Sequence, residues 1–109
     1  MKWIITSDEF HDGREGLMGT YPTVTKLDRV QGKSRLEVAA EYVAQHAGDY
    51  PYEFRLLDDD GEVYYVGRCG DINQADGDHA FHPMDCFEGE GVTTMEYRQA
   101  GTEDEWVVL

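Results

Sequence analysis

The side chains best suited to chemistry crowd into one stretch, "CGDINQADGDHAFHPMDC", residues 69–86. Cys69, His79, His82, Asp85 and Cys86 all carry atoms that bind metal, and four nitrogen or sulfur donors would satisfy tetrahedral zinc. The spacing is C-x9-H-x2-H-x3-C, which matches no common zinc pattern, and Pro83 prevents His79 and Cys86 from sharing one regular helix. Zinc on Cys69, His79, His82 and Cys86 is therefore an alternative, and the expectation is no metal and no cofactor. Cys86 and His82 could also form a thiol–imidazole pair, which needs the imidazole within hydrogen-bond reach of the sulfur. The chain has no G-x-S-x-G, no H-E-x-x-H and no glycine-rich dinucleotide fingerprint, so the expectation is a protein that is not an enzyme.

Two other stretches resemble sites and resolve into turns. "QGKS" at 31–34 echoes the end of a phosphate loop, but Leu27 stands where the first glycine of that motif belongs. It reads instead as a basic turn feeding a helix. Asp58, Asp59 and Asp60 suggest calcium, but consecutive side chains diverge, Gly61 comes too early, and Cys69 occupies the place of the closing glutamate. Asp60–Gly61 reads as the two-residue turn of a β-hairpin, in which both residues take positive φ.

The elements around these stretches read as α+β. "SRLEVAAEYVAQHAG" at 34–48 predicts one main helix over 34–47, with Ser34 and Glu37 as a capping box and Gly48 as a left-handed terminator. Leu36, Ala39, Ala40, Val43 and Ala47 form its apolar stripe, with Leu36, Ala40 and Val43 expected to face the sheet. Period-two alternation marks strands in "KWII", "TVTKL", "YEFRLLD", "EVYYVGRC", "VTTMEYR" and "EWVVL". "TSDEFHDGREGLMGTYPT", with three glycines and a proline, reads as a long loop. Short strands joined by tight turns favour an antiparallel sheet, here of about four to six strands, covered by the helix in a two-layer single domain over 1–109.

"DDDGEVYYVGR", together with "TTMEYR" and "WVVL", resembles small uncharacterised acidic proteins of bacteria and their phages. The resemblance covers the C-terminal half and implies a mobile-element accessory protein, without implying an activity or a functional residue.

Charge is the strongest compositional fact. Twenty-three acids face nine bases, a net charge of −14 in 109 residues. Residues 1–57 hold nine acids and seven bases, net −2; residues 58–109 hold fourteen acids and only Arg68 and Arg98, net −12. Such a field repels nucleic acid and anionic membranes and attracts basic partners. The expected partner is a basic protein, such as a host protein that binds nucleic acid, met by a surface that imitates phosphate spacing. Phage-encoded inhibitors of bacterial defence, anti-CRISPR proteins among them, are similar in size and charge. Asp58, Asp59, Asp60, Glu62, Asp76, Asp78, Glu88 and Glu90 are the expected contact residues, because they sit in turns. A structural accessory protein of a phage particle is the remaining alternative. The opening "MKWIITSDEF" lacks the apolar core of a signal peptide, which with two cysteines points to the cytoplasm and free thiols.

Overall fold

A computed structural model describes residues 2–10, 15–20, 23–70, 72 and 81–109. It is α+β, with an open antiparallel sheet and one main helix. The strands are β1 (Lys2–Asp8), β2 (Leu17–Thr20), β3 (Thr23–Lys26), β4 (Tyr52–Leu57), β5 (Val63–Cys69), β6 (Thr94–Gln99) and β7 (Val107–Val108). The main helix is α1 (Arg35–Gln45), and a single turn, α2 (His82–Asp85), precedes a 3-10 turn at Glu88–Glu90. The sheet order is β3-β2-β1-β5-β4-β6-β7. It has seven strands, one beyond the expected range, because Leu17–Thr20 pairs with β1 and β3 instead of looping.

β1 lies inside the sheet, between β2 and β5, and is buried on both faces. Trp3 and Ile5 point to one face and Ile4 to the other, and all three are fully enclosed. On the Trp3 face, Phe54, Leu56, Tyr65, Cys69 and Met95 from the strands meet Phe87 and Val92 from the segment that follows α2. Ile4, Leu27 and Tyr50 meet Ala39 and Val43 of α1 on the opposite face. The larger core therefore lies under residues 81–93, and α1 covers the smaller one.

Ser34 caps α1, its Oγ accepting from the Glu37 backbone N–H at 3.1 Å. The buried stripe differs from the expected one. Ala39 and Val43 are enclosed and Val38 and Tyr42 half-buried, whereas Leu36 is 39% exposed and Ala40 and Ala47 face solvent. The helix is turned by about a quarter of a revolution, because burying Tyr42 and Val38 removes more apolar area from water than burying two alanines. Its end differs as well. Gly48 is not left-handed; the chain tightens into a 3-10 turn, Ala47–Asp49. The His46 N–H reaches the Tyr42 and Val43 carbonyls, and its Nδ1 lies 2.9 Å from the Tyr42 oxygen.

Beyond α1, the face that carries Ile4 is closed by charge. Glu53 and Arg98 are cross-strand partners, as are Arg55 and Glu96, and each pair forms an ion pair. Trp106 lies between the two guanidiniums, 4.5 Å from Arg55 and 4.3 Å from Arg98. Arg68 donates to the Tyr50 carbonyl at 2.7 Å.

Gly67 lies where β5 passes the Phe54 ring. A methyl group there would come within 2.3 Å of the Ile4 carbonyl oxygen and 2.5 Å of the Phe54 ring. Gly67→Ala is expected to destabilise the fold by roughly 1–3 kcal/mol, read from urea unfolding, because backbone must move to admit it. Burial pushes the Tyr50 phenol from its ordinary 10.0 up to about 12, and the neighbouring Tyr42 and Asp49 add to the effect. The fold thus favours the neutral phenol. That stabilisation is complete below about pH 10, where the unfolded phenol titrates, and is lost as pH rises towards 12. Unfolding free energy should fall across this window, and more shallowly in Tyr50→Phe.

Candidate functional site: an acidic end around Tyr64

The hairpin between β4 and β5 closes differently from the two-residue turn that Asp60–Gly61 suggested. The Asp58 N–H bonds the Glu62 carbonyl, and the Gly61 N–H returns to the Asp58 carbonyl. This is a three-residue loop, and Gly61 supplies its left-handed position with φ 81°. Asp58 selects it: its Oδ1 accepts from the Asp60 and Glu62 N–H groups, both at 2.9 Å. The Asp58 carboxylate therefore closes the loop, while Asp59, Asp60 and Glu62 stand exposed on the tip.

Two further segments, Glu9–Phe10 and residues 88–93, meet this tip around Tyr64. The Glu9 N–H donates to the Tyr64 carbonyl, and Phe10, 42% exposed, stacks on the Tyr64 ring with centroids 4.4 Å apart. Gly91 approaches the Tyr64 hydroxyl, and the Tyr65 hydroxyl donates to Glu90 at 2.6 Å. The Thr93 N–H donates to the Leu57 carbonyl at the base of the loop. The Tyr64 phenol is held above its usual range, by desolvation first and then by Asp58, which accepts its hydrogen bond, with Glu62 and Asp60 adding. Glu88 is exposed and borders a shallow depression lined by Met84, Asp85, Val92 and Thr93.

The structure thus brings Asp58, Asp59, Asp60, Glu62 and Glu90 to one end of the sheet, with Glu88 beside them. Asp58 and Glu90 are also held by hydrogen bonds within the fold. Asp76, Asp78 and His79 lie outside the described residues. Asp8, Glu9, Phe10 and Tyr64 belong to the same end and were not foreseen. Tyr64 follows the loop directly on β5, whereas Asp8, Glu9 and Phe10 join this end only because β1 pairs with β5, a contact between distant parts of the chain with no local signature.

No cation of residues 58–109 offsets this end. Arg68 and Arg98 share a cross-strand row with Glu53, four residues along β4 from Leu57, a separation of about 13 Å. Each is engaged there, by the Tyr50 carbonyl and by Glu53 respectively. The basic stretch before α1 is engaged in part, with the Lys33 ammonium 2.5 Å from Glu41.

Of the residues considered for zinc, Cys69, His82 and Cys86 are described. Cys69 is fully buried in the Trp3 core, while Cys86 is half-buried with its Sγ 3.4 Å from His82 Nε2. Among the described residues, no group of three or more His, Cys, Asp or Glu side chains is placed to hold a metal ion. The Trp3 indole N–H donates to His82 Nδ1 at 3.1 Å, in a buried contact across most of the chain length.

No protein-family model matches the chain, no curated protein matches it in sequence, and no solved structure matches it in fold.

Asp58→Ala removes both side-chain bonds of the loop and is expected to cost about 1 kcal/mol in thermal or urea unfolding, whereas Asp58→Asn, which keeps the acceptor oxygen, should cost less.

Proposed function

We propose that the protein is a non-catalytic binding protein whose acidic end docks on the basic surface of a partner protein. The partner class is one that ordinarily holds nucleic acid, and the carboxylates stand in for phosphates. The observation that carries this reading is the convergence of the 58–62 loop, Asp8–Phe10 and Glu88–Gly91 around Tyr64, with Arg68 and Arg98 engaged elsewhere. Clustered charges of one sign build a potential of several kT and speed encounter with an oppositely charged surface. Phe10 and Tyr64 add an exposed aromatic contact, on which a partner's arginine or lysine could rest.

The likeness of the hairpin to small bacterial and phage proteins supports an inhibitor carried by a mobile element, anti-CRISPR-like in size and charge. A cytoplasmic place belongs to the same proposal. Among the described residues, no helix is long and apolar enough to cross a membrane.

The test is competition. Purified basic nucleic-acid-binding proteins are bound to DNA, and displacement by this protein is followed as salt is raised. Asp58 stays unchanged in the decisive variant because its carboxylate closes the loop; Asp59→Lys, Asp60→Lys and Glu62→Lys are combined. Association should slow by about tenfold or more while dissociation changes little. Displacement by neither protein, or displacement insensitive to salt and to the three reversals, would refute the mimic.

A further inference from the structure

α1 leaves part of its own sheet face uncovered. On the face that carries Ile4, the first three strands form two cross-strand rows, Ile4–Met18–Thr25 and Lys2–Thr20–Thr23. The helix packs over Ile4 and half-buries Met18, and the Lys2 row lies beyond it. Beside that row is a cleft of about 170 Å³, lined by Met18, Thr20, Thr23 and Thr25 from the hairpin and by Tyr42 and Tyr50 from the helical side. A space of roughly 150 Å³ lined by apolar side chains holds one benzene ring, so this cleft matches a single ring in size. Its walls suit one. Tyr42 and Tyr50 meet edge to face, with centroids 6.1 Å apart, and the thioether of Met18 adapts to an aromatic neighbour.

The polar groups of the cleft are few. Tyr42 hydrogen-bonds the Tyr50 phenol, and only one hydrogen can lie between the two oxygens. The second O–H of the pair is left for the cleft. Among the described residues, Lys2 is the one charged group in the lining, and its ammonium lies 3.9 Å from Asp49. A ligand that carried a charge would meet no uncommitted counter-charge there.

We propose that this cleft binds a small neutral aromatic molecule, a single ring bearing a hydroxyl or carbonyl oxygen. The ring lies against Met18 and the two tyrosines, and its oxygen accepts from the tyrosine pair. The site is independent of the acidic end. The cleft opens beside Lys2, whereas Asp8 and the acidic residues lie at the other end of β1, roughly 20 Å away. Failure of either reading leaves the other standing.

The experiment titrates the protein with benzyl alcohol, toluene and benzoate and follows its methyl and aromatic-ring signals by two-dimensional NMR. Benzyl alcohol is expected to shift the Met18, Thr20, Thr23 and Thr25 methyls saturably, with a Kd of about 1 mM, the scale of so small a ligand. Benzoate should bind about tenfold more weakly, because its carboxylate must shed water without a partner. Tyr42→Phe combined with Tyr50→Phe keeps both rings and removes both hydroxyls; it should weaken benzyl alcohol about fivefold and leave toluene unchanged. Thr23→Trp fills the cleft from an exposed position on the edge strand β3 and should abolish binding of both. Nuclear Overhauser contacts between benzyl alcohol and the Met18 methyl of the unaltered protein decide the matter if a variant does not fold. Shifts that do not saturate or that fall outside the cleft, benzoate bound as tightly as benzyl alcohol, a double phenylalanine variant that weakens benzyl alcohol no more than toluene, undiminished binding to folded Thr23→Trp, or absence of the Met18 contacts would each overturn the proposal.

Discussion

A buried indole with a polar edge constrains the rest of this fold. Trp3 lies in the first strand and is fully enclosed, so its N–H must find an acceptor or forfeit a hydrogen bond it made to water. Nδ1 of His82 supplies that acceptor. The bond fixes where α2 must settle, and with it Phe87, which stacks on Tyr65 at 4.3 Å and meets the Trp3 ring edge-on. The larger core is thus closed by a short, irregular segment held by a few directional contacts.

The opposite face solves its burial problem in two ways. Over β1 and β2, α1 supplies Ala39, Val43 and the Tyr42 ring. Over β4 and β6, among the described residues, the arginine and glutamate stems cover the strands. Trp106 draws both guanidiniums inward across its ring faces. Arg55 and Arg98 are thereby committed to Glu96 and Glu53, away from the 58–62 loop.

How much of this was legible in the sequence depended on the range of the contacts. Alternation in "YEFRLLD" and "EVYYVGRC" marked β4 and β5 as strands, because one sheet face is core and the pleat has period two. Ser34 was readable as a cap because its partner lies three residues away. The helix face was not, since Tyr42 is apolar in its ring and polar only at its tip, and which part counts depends on the neighbour it meets. β2 escaped notice because Leu17–Thr20 has little strand character of its own and is defined by β1 and β3. In the candidate site, the 58–62 acids were visible locally as a turn. The His82–Cys86 contact, four residues apart, was visible in the sequence, whereas Asp8, Glu9, Phe10 and the Trp3–His82 bond depend on pairings across the length of the molecule, and no spacing rule reports those.

The loop at 58–62 has a further consequence that follows from its wiring. A flexible acidic tail must surrender conformational freedom when it docks, and that loss weakens binding however strong the attraction. Here Asp58 has already fixed the backbone, with two bonds from its own carboxylate and two more between backbone groups. The remaining three carboxylates are carried on a scaffold that has little left to order. One acid of the group is thereby committed to rigidity so that the others can meet a counter-charge with their geometry set beforehand.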